Sequence, residues 1–246
     1  MTRVLILGGT GEAAQFAAQA AQLQGVEVIT SLAGRTRRPV TPSGRVRIGG
    51  FGGDAGLVDY MRAQRIDLLI DATHPFAAHI SFNAANAAHI CGLPHLLLMR
   101  PPWEPMAGDH WIAVESLAAA ISILPSVAQR VFLTTGRQDL AAFAPLTDLW
   151  FLMRMVDPPI PGTPVPPGTL VLERGPFTLE DERELLKTYG IGVIVSKNSG
   201  GDATYAKIRA ARELALPVVM VQRPPTPAGE RVAGVEEALA WLARHL

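Results

Sequence analysis

An apolar strand that runs straight into glycines, and from them into an alanine-rich helix, restricts this chain more than any other feature. Val4–Leu7 is a continuous apolar run, Gly8-Gly9-Thr10-Gly11-Glu12-Ala13-Ala14 follows, and Glu12–Gln24 is alanine-rich up to Gly25. An apolar run without polar alternation reads as a strand buried on both faces. The alanine-rich stretch reads as a helix that Gly25 stops. Gly9, Gly11 and Ala14 satisfy G-x-G-x-x-G/A in the strand–turn–helix setting the pattern requires. One glycine permits the tight turn and the next lets backbone approach a pyrophosphate. The small third residue packs helix on strand, and the helix N-terminus faces the anion. A plain tight turn is the alternative. Gly9, Thr10, Gly11 and Glu12 are thus candidate dinucleotide contacts, and the absence of any Gly-Lys pair excludes a Walker A loop.

The same alternation continues along the chain. Strands are expected at 26–30, 45–48, 67–71, 95–99, 111–114, 131–135, 150–156, 170–173, 191–196 and 217–221. Helices are expected at 54–64 (with Asp54 as N-cap), 77–91, 116–124, 178–189, 202–214 and 234–244. Arg100-Pro101-Pro102 interrupts the rhythm. The reading is an α/β chain of two Rossmann-like domains, 1–100 and 101–246, each a mostly parallel sheet with helices on both faces. Residues 158–168 hold six prolines and two glycines and are expected to form an exposed loop.

Charge narrows the function. Lys+Arg and Asp+Glu both total 22, which argues against a nucleic-acid partner. No apolar run is long enough to span a membrane, no signal peptide reads from Met1–Gly8, and one cysteine excludes an internal disulfide. A cytoplasmic protein is expected, and a monomer. Five arginines fall between Arg35 and Arg47, with no acid between Glu27 and Asp54. That segment is either a solvated loop or a site for a dianion. An NAD site places Asp or Glu at the end of the second strand. Here Thr30 and Ser31 stand there with Arg35 beyond, which favours a 2′-phosphate and hence NADPH. Ser31 and Arg35 are the expected contacts, with Arg37 and Arg38 behind them.

Thr73 and His74, in Asp71-Ala72-Thr73-His74-Pro75-Phe76, fall at the carboxyl end of a later strand, the edge that faces ligand in such sheets. His74 reads as a wall beside the nicotinamide, a proton donor, or a turn histidine. His74 and His79 lack a third ligand, so no metal site is expected. In the second half Arg137, Arg154, Arg174 and Lys197 sit at or near strand ends, followed by Ser199, Thr204, Lys207 and Arg223. Each alone is an ordinary surface cation or hydroxyl. Together they suit a substrate with several separated carboxylates, and Gly200-Gly201 adds an anion nest.

The segments Ile6–Ala13, Asp71–Phe76, Thr134–Gln138, Arg174–Phe177, Lys197–Gly201 and Pro217–Pro224, in this order, make the chain resemble the precorrin-6A reductase family of cobalamin biosynthesis over nearly its whole length. The resemblance implies that NADPH delivers hydride to the C18–C19 double bond of precorrin-6A, giving precorrin-6B. It implies too that the cations hold the acetates and propionates of a tetrapyrrole. Two alternatives stand beside it, a cobalt-precorrin-6A reductase and a non-enzymatic NADP-sensing regulator. A short-chain dehydrogenase is excluded, since none of the tyrosines supplies Tyr-x-x-x-Lys.

Overall fold

A computed structural model describes residues 1–34 and 43–246. In chain order the elements are β1 (Thr2–Leu7), α1 (Gly11–Ala20), β2 (Val26–Leu32), β3 (Arg45–Ile48), α2 (Gly53–Gln64), β4 (Leu68–Asp71), α3 (Ala78–Cys91) and β5 (His95–Leu98). There follow β6 (His110–Val114), α4 (Leu117–Val127), β7 (Arg130–Leu133), α5 (Leu140–Phe143), β8 (Trp150–Met155), β9 (Gly168–Leu172), α6 (Leu179–Thr188), β10 (Val193–Lys197), α7 (Ala206–Glu213) and β11 (Pro217–Val221). The chain closes with β12 (Glu230–Val232) and α8 (Val235–Ala243). No described helix is long and apolar enough to cross a membrane.

Two compact units form, residues 1–101 with 224–246, and residues 102–223. The first carries a parallel sheet in the order β12-β5-β4-β1-β2-β3, the second a parallel sheet in the order β6-β11-β10-β7-β8-β9. Both are Rossmann-like. In each sheet, consecutive strands run outward one way from a central strand (β1 or β7), and the chain then resumes on that strand's other side (β4 or β10). A crevice opens at the carboxyl ends of the strands where the order reverses.

The second unit does not extend to residue 246, as the sequence reading placed it. β12 pairs with β5 (Glu230↔Leu96, Arg231↔Leu97, Val232↔Leu98), and α8 buries Trp241 and Leu242 in the same cluster as Phe16 of α1. The sixth strand of the first sheet therefore comes from the far end of the chain, while the second sheet takes its sixth strand, β6, from the segment that follows β5.

β1 explains why an uninterrupted apolar run was needed. Val4 and Ile6 pack with Ala13, Phe16 and Trp241 on one face, whereas Leu5 and Leu7 pack with Leu57, Met61, Leu69 and Ala88 on the other. Each such side chain contributes about 1.5–3 kcal/mol by leaving water. In the second unit Phe132, Leu152, Ile194 and Met220 meet Leu186 and Ile208 of α6 and α7, while Phe143 of α5 packs edge-on against Phe151.

Local differences from expectation are small. Gly52, not Asp54, caps α2. Asp54 sits in the first helical turn, accepts from its neighbour's N–H (2.8 Å) and from the Asn86 amide, and faces the positive end of the helix dipole. Residues 158–167 of the proline-rich stretch carry no regular element, Gly168 opens β9, and Ile160 is exposed.

Candidate functional site

In the first unit the order reverses between β1 and β4, and the glycine loop stands at that point. Gly9 has φ +116°, which a side chain disfavours. A Cβ on Gly8 would meet Thr30 Cγ2 at 3.0 Å, so a side chain there would press on β2. A Cβ on Gly11 would meet nothing within 4 Å, so the start of α1 is open to approach. Thr10 caps α1 by accepting from the Ala13 N–H (3.1 Å), and its hydroxyl donates to the Ala72 carbonyl (2.8 Å). One side chain thus fixes the helix start and ties the loop after β1 to the loop after β4. Glu12, in the first helical turn, is held by Arg100 at 2.8 Å, so its charge is balanced where an anion would arrive. This cradle fits a pyrophosphate.

The loop after β4 is set by Asp71, which is fully buried. One of its carboxylate oxygens accepts from the Thr73 N–H (3.0 Å) and from the Thr73 hydroxyl (2.7 Å). His74 is exposed, and its Nδ1 accepts from the Phe76 N–H (3.2 Å). That hydrogen bond holds the ring in the turn before α3. Burial lowers the pKa of His95 on β5, against the pull of the Asp71 carboxylate.

At the end of β2, Ser31 is buried and its Oγ accepts from Nη1 of Arg47 (3.0 Å). The register pairs the two residues directly (Ser31↔Arg47). Arg47 was counted in the arginine cluster but not singled out. Its place at a strand end level with Ser31 was the available signal. Arg35, Arg37 and Arg38 lie outside the described residues.

In the second unit the order reverses between β7 and β10. Lys197, at the end of β10, pairs with Asp139 (2.7 Å) and donates to the Thr135 carbonyl (3.2 Å). Arg137 follows β7, its Nη1 3.5 Å from the Pro158 carbonyl. Ser199 follows β10, and Arg223, just past β11, donates to the carbonyls of Asn198 (2.8 Å) and Ser199 (3.0 Å). Arg137, Lys197, Ser199 and Arg223 therefore occupy the carboxyl edge around β7, β10 and β11. Arg174 is exposed after β9, two strands further along the sheet.

Arg154 and Lys207 belong elsewhere. Both were read as carboxylate anchors, and both are buried, at 8% and 4% exposure. Arg154 pairs with the fully buried Glu182 (2.6 Å) and lies 3.6 Å over the Phe177 ring. Lys207 donates to the Thr204 carbonyl (2.9 Å) and lies 4.9 Å from the Trp103 ring. Burial and the nearby Arg154 lower its pKa from 10.5 to about 7, with Glu182 opposing. Arg154 neutralises Glu182, whereas Lys207 is enclosed without a carboxylate in contact among the described residues. A pocket of about 450 Å³ opens beside Arg154 and Arg174. Glu173, Asp181 and Glu184 also line it, so its charge is mixed and does not suit a polyacid.

Residues 3–243 match the family model described as precorrin-6x reductase CbiJ/CobK. The precorrin-6A reductase of Rhodococcus erythropolis is 54% identical over 243 residues, covering 98% of each chain. That of Rhodobacter capsulatus is 46% identical over 245 residues, covering 100% of this chain and 97% of the other. The cobalt-precorrin-6A reductase of Priestia megaterium is 29% identical over 200 residues, covering 77% of this chain and 78% of the other. A solved structure named CobK precorrin-6A reductase matches at TM-score 0.93 and 46% identity, covering 100% of this chain and 97% of that one.

Proposed function

The chain belongs to the precorrin-6x reductase family, and from that premise we propose that it reduces the C18–C19 double bond of precorrin-6A to precorrin-6B with NADPH. It is a reductase of cobalamin biosynthesis acting on a CH–CH group. The observation that carries the cofactor reading is the cradle at the β1–β4 crevice, with Gly8 tight against Thr30, Gly11 open, and Thr10 pinning both loops.

When bound, NADPH supplies a hydride from C4 of its nicotinamide. The backbone of Gly9–Gly11 and the start of α1 receive the pyrophosphate, and Arg100 keeps Glu12 from repelling it. Ser31 carries no charge to oppose a 2′-phosphate. The loop Thr73–His74, set by Asp71, borders the crevice. Arg137, Lys197, Ser199 and Arg223 hold the carboxylates of the macrocycle. Reduction adds hydride to C19 and a proton to C18, so one proton is taken up per turnover. His74, exposed in the loop after β4, is the candidate donor. The metal-free substrate is preferred because identity to precorrin-6A reductases is 54% and 46%, against 29% to a cobalt-precorrin-6A reductase.

The test is anaerobic incubation of the protein with NADPH and precorrin-6A. The expected result is NADPH oxidation with a matching change in the corrin chromophore and a product heavier by two hydrogens. A protein that binds NADPH and leaves the chromophore unchanged would be a sensor. Faster turnover of the cobalt-bearing substrate would move the assignment to the cobalt route.

A further inference from the structure

Ser31, the penultimate residue of β2, lies about 20 residues beyond the glycine loop, where such sheets read the 2′-position of an adenosine ribose. Arg47 stands level with it on β3. Its Nη1 donates to Ser31 Oγ (3.0 Å) and to the Gly49 carbonyl (2.6 Å), and its Nη2 to the Gly50 carbonyl (2.6 Å). The guanidinium lies 3.7 Å over the Phe51 ring. All of these partners are neutral. Among the described residues no carboxylate pairs with Arg47. The other arginine of β3, Arg45, faces Glu27 at 3.6 Å, and Arg3 holds the same carboxylate at 2.8 Å. A guanidinium fixed by neutral oxygens and a ring is oriented in advance without its charge being spent. Ser31 accepts from it and keeps its own hydroxyl proton to donate. A Cβ on Gly49 or Gly50 would meet nothing within 4 Å, so the approach is open.

We infer that Arg47 and Ser31 form the receptor for the 2′-phosphate and that Arg47 sets the preference for NADPH over NADH. This rests on the NADPH reading above. The charged hydrogen bonds at stake correspond to about a 10- to 100-fold change in affinity.

The experiment measures dissociation constants of NADPH and NADH, and of 2′,5′-ADP and 5′-AMP, by calorimetry on the full chain. Wild type, Arg47→Gln and Arg47→Lys are compared. The expected result is that Arg47→Gln weakens NADPH and 2′,5′-ADP about 10- to 100-fold, leaves NADH and 5′-AMP within about threefold, and is partly rescued by Arg47→Lys. The ratio of the two cofactors is the readout, because a purely structural role would weaken both alike. An unchanged ratio in Arg47→Gln, against a wild type that prefers NADPH, overturns the inference alone. A wild type without preference overturns the NADPH reading and this inference with it.

Discussion

Replacing Lys207 by Met should change how stability depends on pH, not merely how stable the protein is. Lys207 lies inside the second unit with Arg154 nearby, and its pKa falls from 10.5 to about 7. Below about pH 7 the ammonium is charged in both states, and the folded state carries the whole penalty. Above about pH 10.5 it is neutral in both, and the penalty is gone. Between these values the unfolded chain binds the extra proton, so stability rises with pH, by at most about 1.4 kcal/mol per unit. The full separation corresponds to about 5 kcal/mol. Lys207→Met removes the titrating group and leaves the Arg154–Glu182 pair. The hydrogen bond lost to Thr204 adds an offset that does not vary with pH. The variant's advantage over wild type should therefore be largest near neutrality and shrink by about 1.4 kcal/mol per unit toward pH 9.5. Urea titrations followed by tryptophan fluorescence from about pH 6.5 to about pH 9.5 measure it, and Trp103 lies within 4.9 Å of the ammonium. A difference that stays flat across that window would mean that Lys207 titrates normally in the folded protein.

Gly11→Ala should separate fold from function, because Gly11 does not have positive φ and its Cβ would meet nothing. Stability should rise by about 0.4–1 kcal/mol while NADPH affinity falls about tenfold or more, read by thermal unfolding and calorimetry on one preparation. Lys197→Ala should weaken precorrin-6A by about 1.5–3 kcal/mol and leave NADPH binding unchanged, and an unaltered KM for the tetrapyrrole would remove Lys197 from the site. Thr10→Val, which loses both the helix cap and the tie to Ala72, should cost about 1–2 kcal/mol of stability in denaturant titrations.

What the sequence disclosed, and what it hid, follows from how local each signal is. The glycine loop was legible because strand, turn and helix N-terminus are contiguous, and their residue types serve that one geometry. Parallel sheets were legible because the alternation of elements allows little else. β12 was not, since Glu230-Arg231-Val232 is short and polar and becomes a strand only by pairing with β5. That pairing is why residues 224–246 leave the unit to which their sequence position assigned them. Lys207 and Arg154 read as exposed cations because a lone charge among apolar residues carries no sign of direction. Only the fold brings Glu182, 28 positions beyond Arg154, to a place where burial is tolerable. Arg47 was hidden for a related reason. Its significance depends on the register that sets it opposite Ser31, and register is decided by pairing, not by composition.

The position of β12 has a consequence for synthesis on the ribosome. Residues 1–101 emerge first, yet their sheet lacks its last strand, and the cluster around Phe16 lacks Trp241 and Leu242. A nascent chain must therefore hold β5 as an unpaired edge while the entire second unit is translated. Such an edge invites pairing with neighbouring nascent chains. Only residues 224–246 seal it, so a chain cut short before them would leave the first sheet without its sixth strand.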